Sequence, residues 1–94
     1  MSGSAPGLEQ WAARYRAEVR GFQLDAIQAR TARDFEALEG IGHRLRGSGS
    51  VFGYPLLSDI GAELEDACLA EDESRVQSAV QRLERWDDSQ EVVP

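Results

Sequence analysis

The sequence of 94 residues is poor in several features, and each scarcity excludes a class of protein. Its one cysteine, Cys68, excludes an internal disulfide and fits a reducing compartment. No apolar run is long enough to span a bilayer, and no signal-peptide pattern is present. We therefore expect a cytoplasmic location and no membrane partner.

Positive charge is also scarce, and none of it comes from lysine, because all ten cationic side chains are arginine. Seventeen acidic residues give the chain a formal net charge of −7. This balance argues against a broad basic surface for nucleic acid and favours solubility. We predict no nucleic-acid partner, a single domain of modest core size and a monomer.

The residues needed for metal, nucleotide or hydrolase chemistry are missing or badly spaced. A metal site needs two or more ligands at matched spacing, and the lone His43 and Cys68 lie on different predicted helices. No glycine-rich phosphate loop follows a strand, and no convincing order of Ser, His and Asp is found. We therefore predict no metal, no cofactor and no autonomous use of ATP.

Four stretches repeat apolar residues at three- and four-residue steps, which is typical of amphipathic helices. The predicted helices are residues 8–30, residues 32–50 with Thr31 and Asp34 as a capping pair, a helix after Pro55 and a helix ending near Trp86. Because the links are short and each helix has one apolar face, we predict an all-α fold, an antiparallel up-and-down four-helix bundle.

The predicted bundle covers residues 8–87, with a flexible lead at residues 1–7 and a frayed tail at residues 88–94. Trp11 and Trp86 are predicted to pack in the core or at its ends. On the third helix, Gly61 is expected to allow close approach of a neighbouring helix. Glu65 is predicted to lie on the solvent side, as are Glu63 and Asp66.

The second helix carries the only histidine, in the stretch HRLRGSGSVFG at residues 43–53. At about 100° per residue, His43 lies roughly 140° from Leu38 at the centre of the apolar face, so the imidazole should face solvent. Gly47, one turn later, leaves the surface beside it bare, and Arg46 supplies a cation. An exposed imidazole, an open approach and a cation indicate phosphoryl chemistry.

This stretch resembles the signature of histidine-containing phosphotransfer (HPt) domains, His-x-Leu-Lys-Gly-Ser followed by a second glycine ten residues after the histidine. The matching residues are His43, Leu45, Gly47, Ser48 and Gly53, and downstream Leu57, Leu64 and Glu65. The departures are Arg46 in place of lysine, Gly42 in place of a small alanine, Tyr54 after the second glycine, and Gly61 where a cysteine or other small residue is common. None of them removes the group that would be phosphorylated.

The resemblance implies a phosphorelay intermediate without kinase activity. His43 would accept a phosphoryl group from an aspartate of a receiver domain and pass it to an aspartate of another receiver. Arg46 would stabilise the phosphoryl oxygens, and Gly47 would give the receiver access. The implied partners are receiver domains of a hybrid sensor histidine kinase, of a response regulator, or of both, and Mg²⁺ would be held by the receiver.

Other interpretations of the same residues stay open. The chain could be a helical interaction module that binds receivers or other signalling partners without carrying phosphate. The dimerisation domain of a sensor kinase is disfavoured, because Arg44 follows the histidine where those helices usually have an acidic residue. Glu36 and Glu39 are either part of a solvated helix face or residues that hold Arg46 or tune the pKa of the imidazole through nearby negative charge.

Overall fold

The computed structural model of the protein describes residues 7–91, with side chains from residue 9 onward. Within this range four α-helices follow one another, and a short 3₁₀ helix comes after the last of them. They are α1 (Gly7–Thr31), α2 (Phe35–Ser48), α3 (Pro55–Leu69), α4 (Glu73–Arg85) and the 3₁₀ helix Asp88–Glu91. Each helix packs on the next, and α4 packs back on α1. The predicted all-α four-helix bundle is thus confirmed.

The three connections between α-helices share one backbone motif. Each contains a residue in the left-handed conformation: Arg33 (φ 56°), Gly53 (φ 88°) and Glu71 (φ 53°). The N–H of the following residue donates a hydrogen bond to the carbonyl five residues earlier, at 2.8 to 3.1 Å. This arrangement satisfies carbonyls at a helix end and reverses the chain within a few residues, so consecutive helices lie side by side.

The start of α2 differs from the sequence prediction. Thr31 belongs to α1, where its Oγ1 donates to the carbonyl of Ile27, and it takes no part in a cap of the next helix. Asp34 alone caps α2, because its carboxylate accepts from the N–H of Ala37 at 3.1 Å. The left-handed Arg33 lies between the two helices, so α2 begins at Phe35 and not at Ala32.

The predicted apolar faces of α2, α3 and α4 are buried together. The fully buried large side chains include Leu38, Leu45, Leu57, Ile60, Leu64, Leu83, Val19 and Val80. Trp86 is also buried, as predicted, but the prediction for Trp11 was wrong, since 57% of that residue is exposed. The Tyr15 hydroxyl is hydrogen-bonded to Ser48, the last residue of α2. Trp11 lies one turn before Tyr15 on α1, which is antiparallel to α2, so it extends beyond the end of α2.

The 3₁₀ helix holds the beginning of α3. The Glu91 carboxylate accepts from the backbone N–H groups of Leu56 and Leu57, both at 2.9 Å, and from Nε1 of Trp86 at 2.8 Å. Tyr54, at the start of α3, supplies no side-chain cap, so Glu91 satisfies two amides that the helix leaves free. Residues 88–91 therefore form a packed element where the sequence predicts fraying. Residues 1–6 of the predicted lead and residues 92–94 of the predicted tail lie outside the described residues.

Two glycine-to-alanine substitutions should have opposite effects on stability. Gly53→Ala should lower the free energy of unfolding by about 1 kcal/mol, because φ is positive at this residue. Gly21→Ala, in open space in the middle of α1, should raise it by up to about 1 kcal/mol through helix propensity. Urea denaturation of the two variants measures both changes. If both substitutions changed the free energy of unfolding in the same direction and by the same amount, the positive φ assigned to Gly53 would be contradicted.

Candidate functional site

The site is built on a very close crossing of α2 and α3. Gly42 of α2 faces Gly61 of α3, and a Cβ atom on Gly42 would lie 2.7 Å from the Glu65 nitrogen and 2.8 Å from the Gly61 oxygen. A Cβ atom on Gly61 would lie 2.5 Å from the nitrogen of Arg46. Real Cβ atoms do not approach other atoms this closely, so the two helices touch through their backbones. The predicted role of Gly61 is observed, and Gly42, a departure from the family signature, is its counterpart.

This crossing brings one carboxylate of α3 to two side chains of α2. Glu65 lies one turn after Gly61, and its Oε2 is 2.9 Å from Nδ1 of His43. Its Oε1 accepts a hydrogen bond from Nη1 of Arg46 at 3.1 Å. Each carboxylate oxygen therefore has its own partner on the neighbouring helix, and the three side chains form one connected group.

The prediction that Glu65 lies on the solvent side was wrong, and sequence reasoning missed it as a site residue. Only 12% of its side chain is exposed. Two signals could have identified it: it lies four residues after Gly61, on the face expected to meet a neighbouring helix, and it belongs to the downstream part of the HPt resemblance. Glu36 and Glu39, considered as partners of Arg46, have no hydrogen bond to it among the described residues, where Glu65 takes that place.

The charge of Glu65 fixes the orientation of the imidazole. The hydrogen bonds from His43 and then from Arg46 hold the pKa of the Glu65 carboxyl below its usual value, against the opposing effect of burial. An ionised carboxylate can only accept hydrogen bonds, so Nδ1 of His43 carries the proton that it donates. The lone pair of the neutral ring is then on Nε2. Because 76% of the His43 side chain is exposed, as the helical projection predicts, a second molecule can reach this nitrogen.

His43, Arg46, Gly47 and Glu65 line a shallow concavity of about 380 Å³. A Cβ atom on Gly47 would meet nothing within 4 Å, so the floor beside the imidazole is open. The Arg46 side chain is 57% exposed and carries further N–H groups besides the one that binds Glu65. The structure thus brings together the three residues that the sequence singled out, and it adds Glu65.

Ser48, part of the same signature, does not line this concavity but contacts α1. Its Oγ donates to the carbonyl of Arg44 at 2.7 Å and therefore accepts from the Tyr15 hydroxyl at 2.6 Å. It joins the last turn of α2 to α1. Leu45 is fully buried below the site. These residues hold the helix that presents His43.

Neither a metal cluster nor a spanning helix is found in the part of the chain that the structure describes. Between residues 7 and 91, no three His, Cys, Asp or Glu side chains converge as metal ligands would. In the same range, no helix combines the length and the apolar character needed to cross a membrane.

Comparison with known protein families gives one result. The sequence model of a family described as the Hpt domain matches residues 10–92, a range that contains α2, α3, α4 and most of α1. No curated protein and no solved structure gives a significant match.

The pH dependence of stability should reveal the Glu65 hydrogen bonds. Since its folded pKa is depressed, Glu65 contributes stability that is present above its unfolded pKa of about 4.3 and is lost as the pH falls through the folded pKa. Glu65→Gln should therefore be less stable than wild type at pH 6, with a smaller difference at pH 3.

Urea denaturation at both pH values measures this difference. The matched control is Glu63→Gln, which removes a carboxylate paired with Arg82 near the surface of α3. It should change the free energy of unfolding by less than about 1 kcal/mol. A Glu65→Gln deficit that is the same at both pH values would contradict the ionised, hydrogen-bonded state.

Proposed function

Because this chain belongs to the Hpt domain family, we propose that it is a phosphorelay intermediate with His43 as the phosphoacceptor. Hpt domains are phosphotransfer modules of two-component signalling, and they carry phosphate rather than act as kinases. In the proposed relay, His43 takes a phosphoryl group from an aspartate of one receiver domain and passes it to an aspartate of another. The transfer unit is the helical bundle, acting as a monomer in the cytoplasm.

One observation supports this proposal above the others. The imidazole is held at Nδ1 by the Glu65 carboxylate at 2.9 Å, while the side chain is largely exposed and the opposite ring nitrogen has no hydrogen bond among the described residues. A structural histidine would bury the ring or satisfy both nitrogens. A nucleophile needs the arrangement that is observed, with one nitrogen fixed as a donor and the other free to attack.

The transfer step follows from this geometry. The lone pair of Nε2 attacks phosphorus in line, an N–P bond forms, and the O–P bond to the aspartate of the donor breaks, leaving that aspartate as a carboxylate. The ring gains positive charge while Nδ1 keeps its proton. The Glu65 carboxylate accepts a hydrogen bond from this N–H group, so its negative charge stabilises the positive charge that develops on the ring. The return step to a second receiver is the reverse reaction.

Arg46 and Gly47 have separate parts in the proposal. Arg46 uses one Nη1–H group on Glu65, and its remaining donors are available to phosphoryl oxygens above the concavity. Gly47 keeps the surface beside His43 free, so the loops of a receiver can bring its aspartate into line. Mg²⁺ is expected on the receiver, whose site is acidic, and this chain needs no cofactor of its own.

The first test replaces the proposed acceptor. His43→Gln should fold like wild type, because the side chain is largely exposed, and it should take no label from a phosphorylated receiver. Leu45→Ala is the matched control on the same helix: it should lose about 2 to 5 kcal/mol of stability, yet its folded fraction should still accept phosphate.

Acid-labile, base-stable label on the chain and urea denaturation are the two measurements. Label on His43→Gln would exclude His43 as the acceptor. A wild-type chain that binds a phosphorylated receiver without becoming labelled would instead be an interaction module.

The second test separates rate from binding. Arg46→Ala should slow transfer by roughly tenfold to a hundredfold at saturating receiver, as expected when a donor to developing charge is removed. Arg46→Lys should restore most of the rate, because a cation remains. Single-turnover rates over a range of receiver concentrations distinguish the two effects. A change in KM with an unchanged maximal rate would make Arg46 a docking residue only.

A further inference from the structure

Three glycines of α2 lie within about one turn of His43, but their surroundings differ. A Cβ atom on Gly40 or on Gly47 would meet nothing within 4 Å. A Cβ atom on Gly42 would lie 2.7 Å from the backbone nitrogen of Glu65 and 3.2 Å from its Cα. Glycine within a helix is less favourable than alanine. Of the three, only Gly42 is at a contact with the neighbouring helix that requires the missing side chain.

The contact at Gly42 involves the residue that orients the imidazole. The Glu65 side chain leads from that backbone to a carboxylate whose Oε2 is 2.9 Å from Nδ1 of His43. With a methyl group at residue 42, the distance to the Glu65 nitrogen would have to grow from 2.7 Å to at least 3.4 Å for an ordinary contact. An equal displacement of the carboxylate would carry Oε2 beyond the range of about 2.7 to 3.2 Å for N–H···O hydrogen bonds.

The same requirement is found from the side of α3. A Cβ atom on Gly61 would lie 2.5 Å from the backbone nitrogen of Arg46 and 2.7 Å from the backbone oxygen of Gly42. An enlargement of either glycine would therefore have to be met by separation of the two backbones. Because Arg46 is the second partner of Glu65, that separation would weaken both hydrogen bonds of the carboxylate.

We propose that Gly42, together with Gly61, is a positioning residue for phosphoryl transfer and acts through Glu65. Its missing side chain holds Glu65 within hydrogen-bond distance of His43, which keeps the ring proton on Nδ1 and leaves Nε2 as the nucleophile. The effect on transfer rests on the proposed function, whereas the effect on the ring can be measured without phosphate.

The first test reads the imidazole tautomer from the nitrogen NMR shifts of the ring at about pH 8, where an unperturbed histidine is neutral. Wild type should show one tautomer, with the proton on Nδ1. Gly42→Ala should show a mixture in which Nε2 carries the proton in part of the molecules, although alanine favours the helix and is usual at this position of the HPt signature. Gly40→Ala, the same change in open space on α2, should keep the wild-type tautomer and raise the melting temperature.

A second variant tests the distance without changing the helix crossing. Glu65→Asp keeps the charge but withdraws the carboxylate by one C–C bond, about 1.5 Å. It should reproduce the tautomer mixture expected for Gly42→Ala while both glycines stay in place. The proposal therefore remains testable even if Gly42→Ala does not fold.

The second test asks whether Gly42 acts through Glu65. At saturating phosphorylated receiver, Gly42→Ala should lower the maximal rate of transfer by roughly tenfold to a hundredfold, with little change in KM, because Gly42 is buried and offers no surface to the receiver. In a Glu65→Ala background the same substitution should lower the rate by less than about twofold, since the hydrogen bond that it disturbs is already absent. Full, additive losses in the double variant would assign the effect to the fold alone and overturn the proposal.

The outcomes distinguish this proposal from the proposed function. A folded Gly42→Ala that keeps the single Nδ1–H tautomer would overturn the positioning role and leave the function intact. If Gly42→Ala does not fold, the wild-type tautomer in Glu65→Asp would have the same meaning. Absence of label on wild type would overturn the proposed function, and the tautomers would still decide whether Gly42 orients the ring.

Discussion

The backbone contact between Gly42 and Gly61 is the constraint on which the site depends. A side chain as small as alanine at either position would place its Cβ within 3 Å of backbone atoms of the opposite helix. Because backbone atoms cannot move aside as a flexible side chain can, such a group would force α2 and α3 apart. The 2.9 Å distance between His43 and Glu65 would lengthen with that separation. The two glycines therefore determine where a carboxylate of one helix meets the imidazole of the other.

The two sides of α2 contribute to the site in different ways. On the α3 side, Glu65 binds His43 and Arg46 through separate oxygens, which fixes the imidazole and neutralises part of the cation. On the α1 side, Gly40 and Gly47 leave the helix surface bare. An imidazole that is oriented but not covered is suited to in-line attack, since the cost of positioning it is met before the partner arrives. Arg46 donates one N–H group to Glu65, so the role in transfer that we propose for it depends on the donors that Glu65 leaves unused.

The helix ends are stabilised away from this surface. The three turns repeat one motif, the aspartates Asp34 and Asp72 cap α2 and α4, and Glu91 supplies the amides of α3 with an acceptor. Together these contacts satisfy the helix ends without using any group near His43. Glycine can therefore occupy exposed positions of α2 at a cost in helix propensity of about 1 kcal/mol per residue, because the helix ends are held by other residues.

The sequence by itself determined the helices, the core and the exposure of His43, because the period of 3.6 residues is a local property that fixes which side chains share a face. It also determined that His43, Arg46 and Gly47 lie together, since they are at most one turn apart. Only the tertiary structure decided that Glu65 completes the group and that Trp11 is exposed. A helical projection separates apolar from polar faces. It cannot show which polar residue lies at the edge of a helix crossing, or where one helix extends beyond its neighbour. The position of Glu65 depends on the distance between α2 and α3, which is set where the two helices meet at their glycines, and the exposure of Trp11 depends on the length of α1 relative to α2.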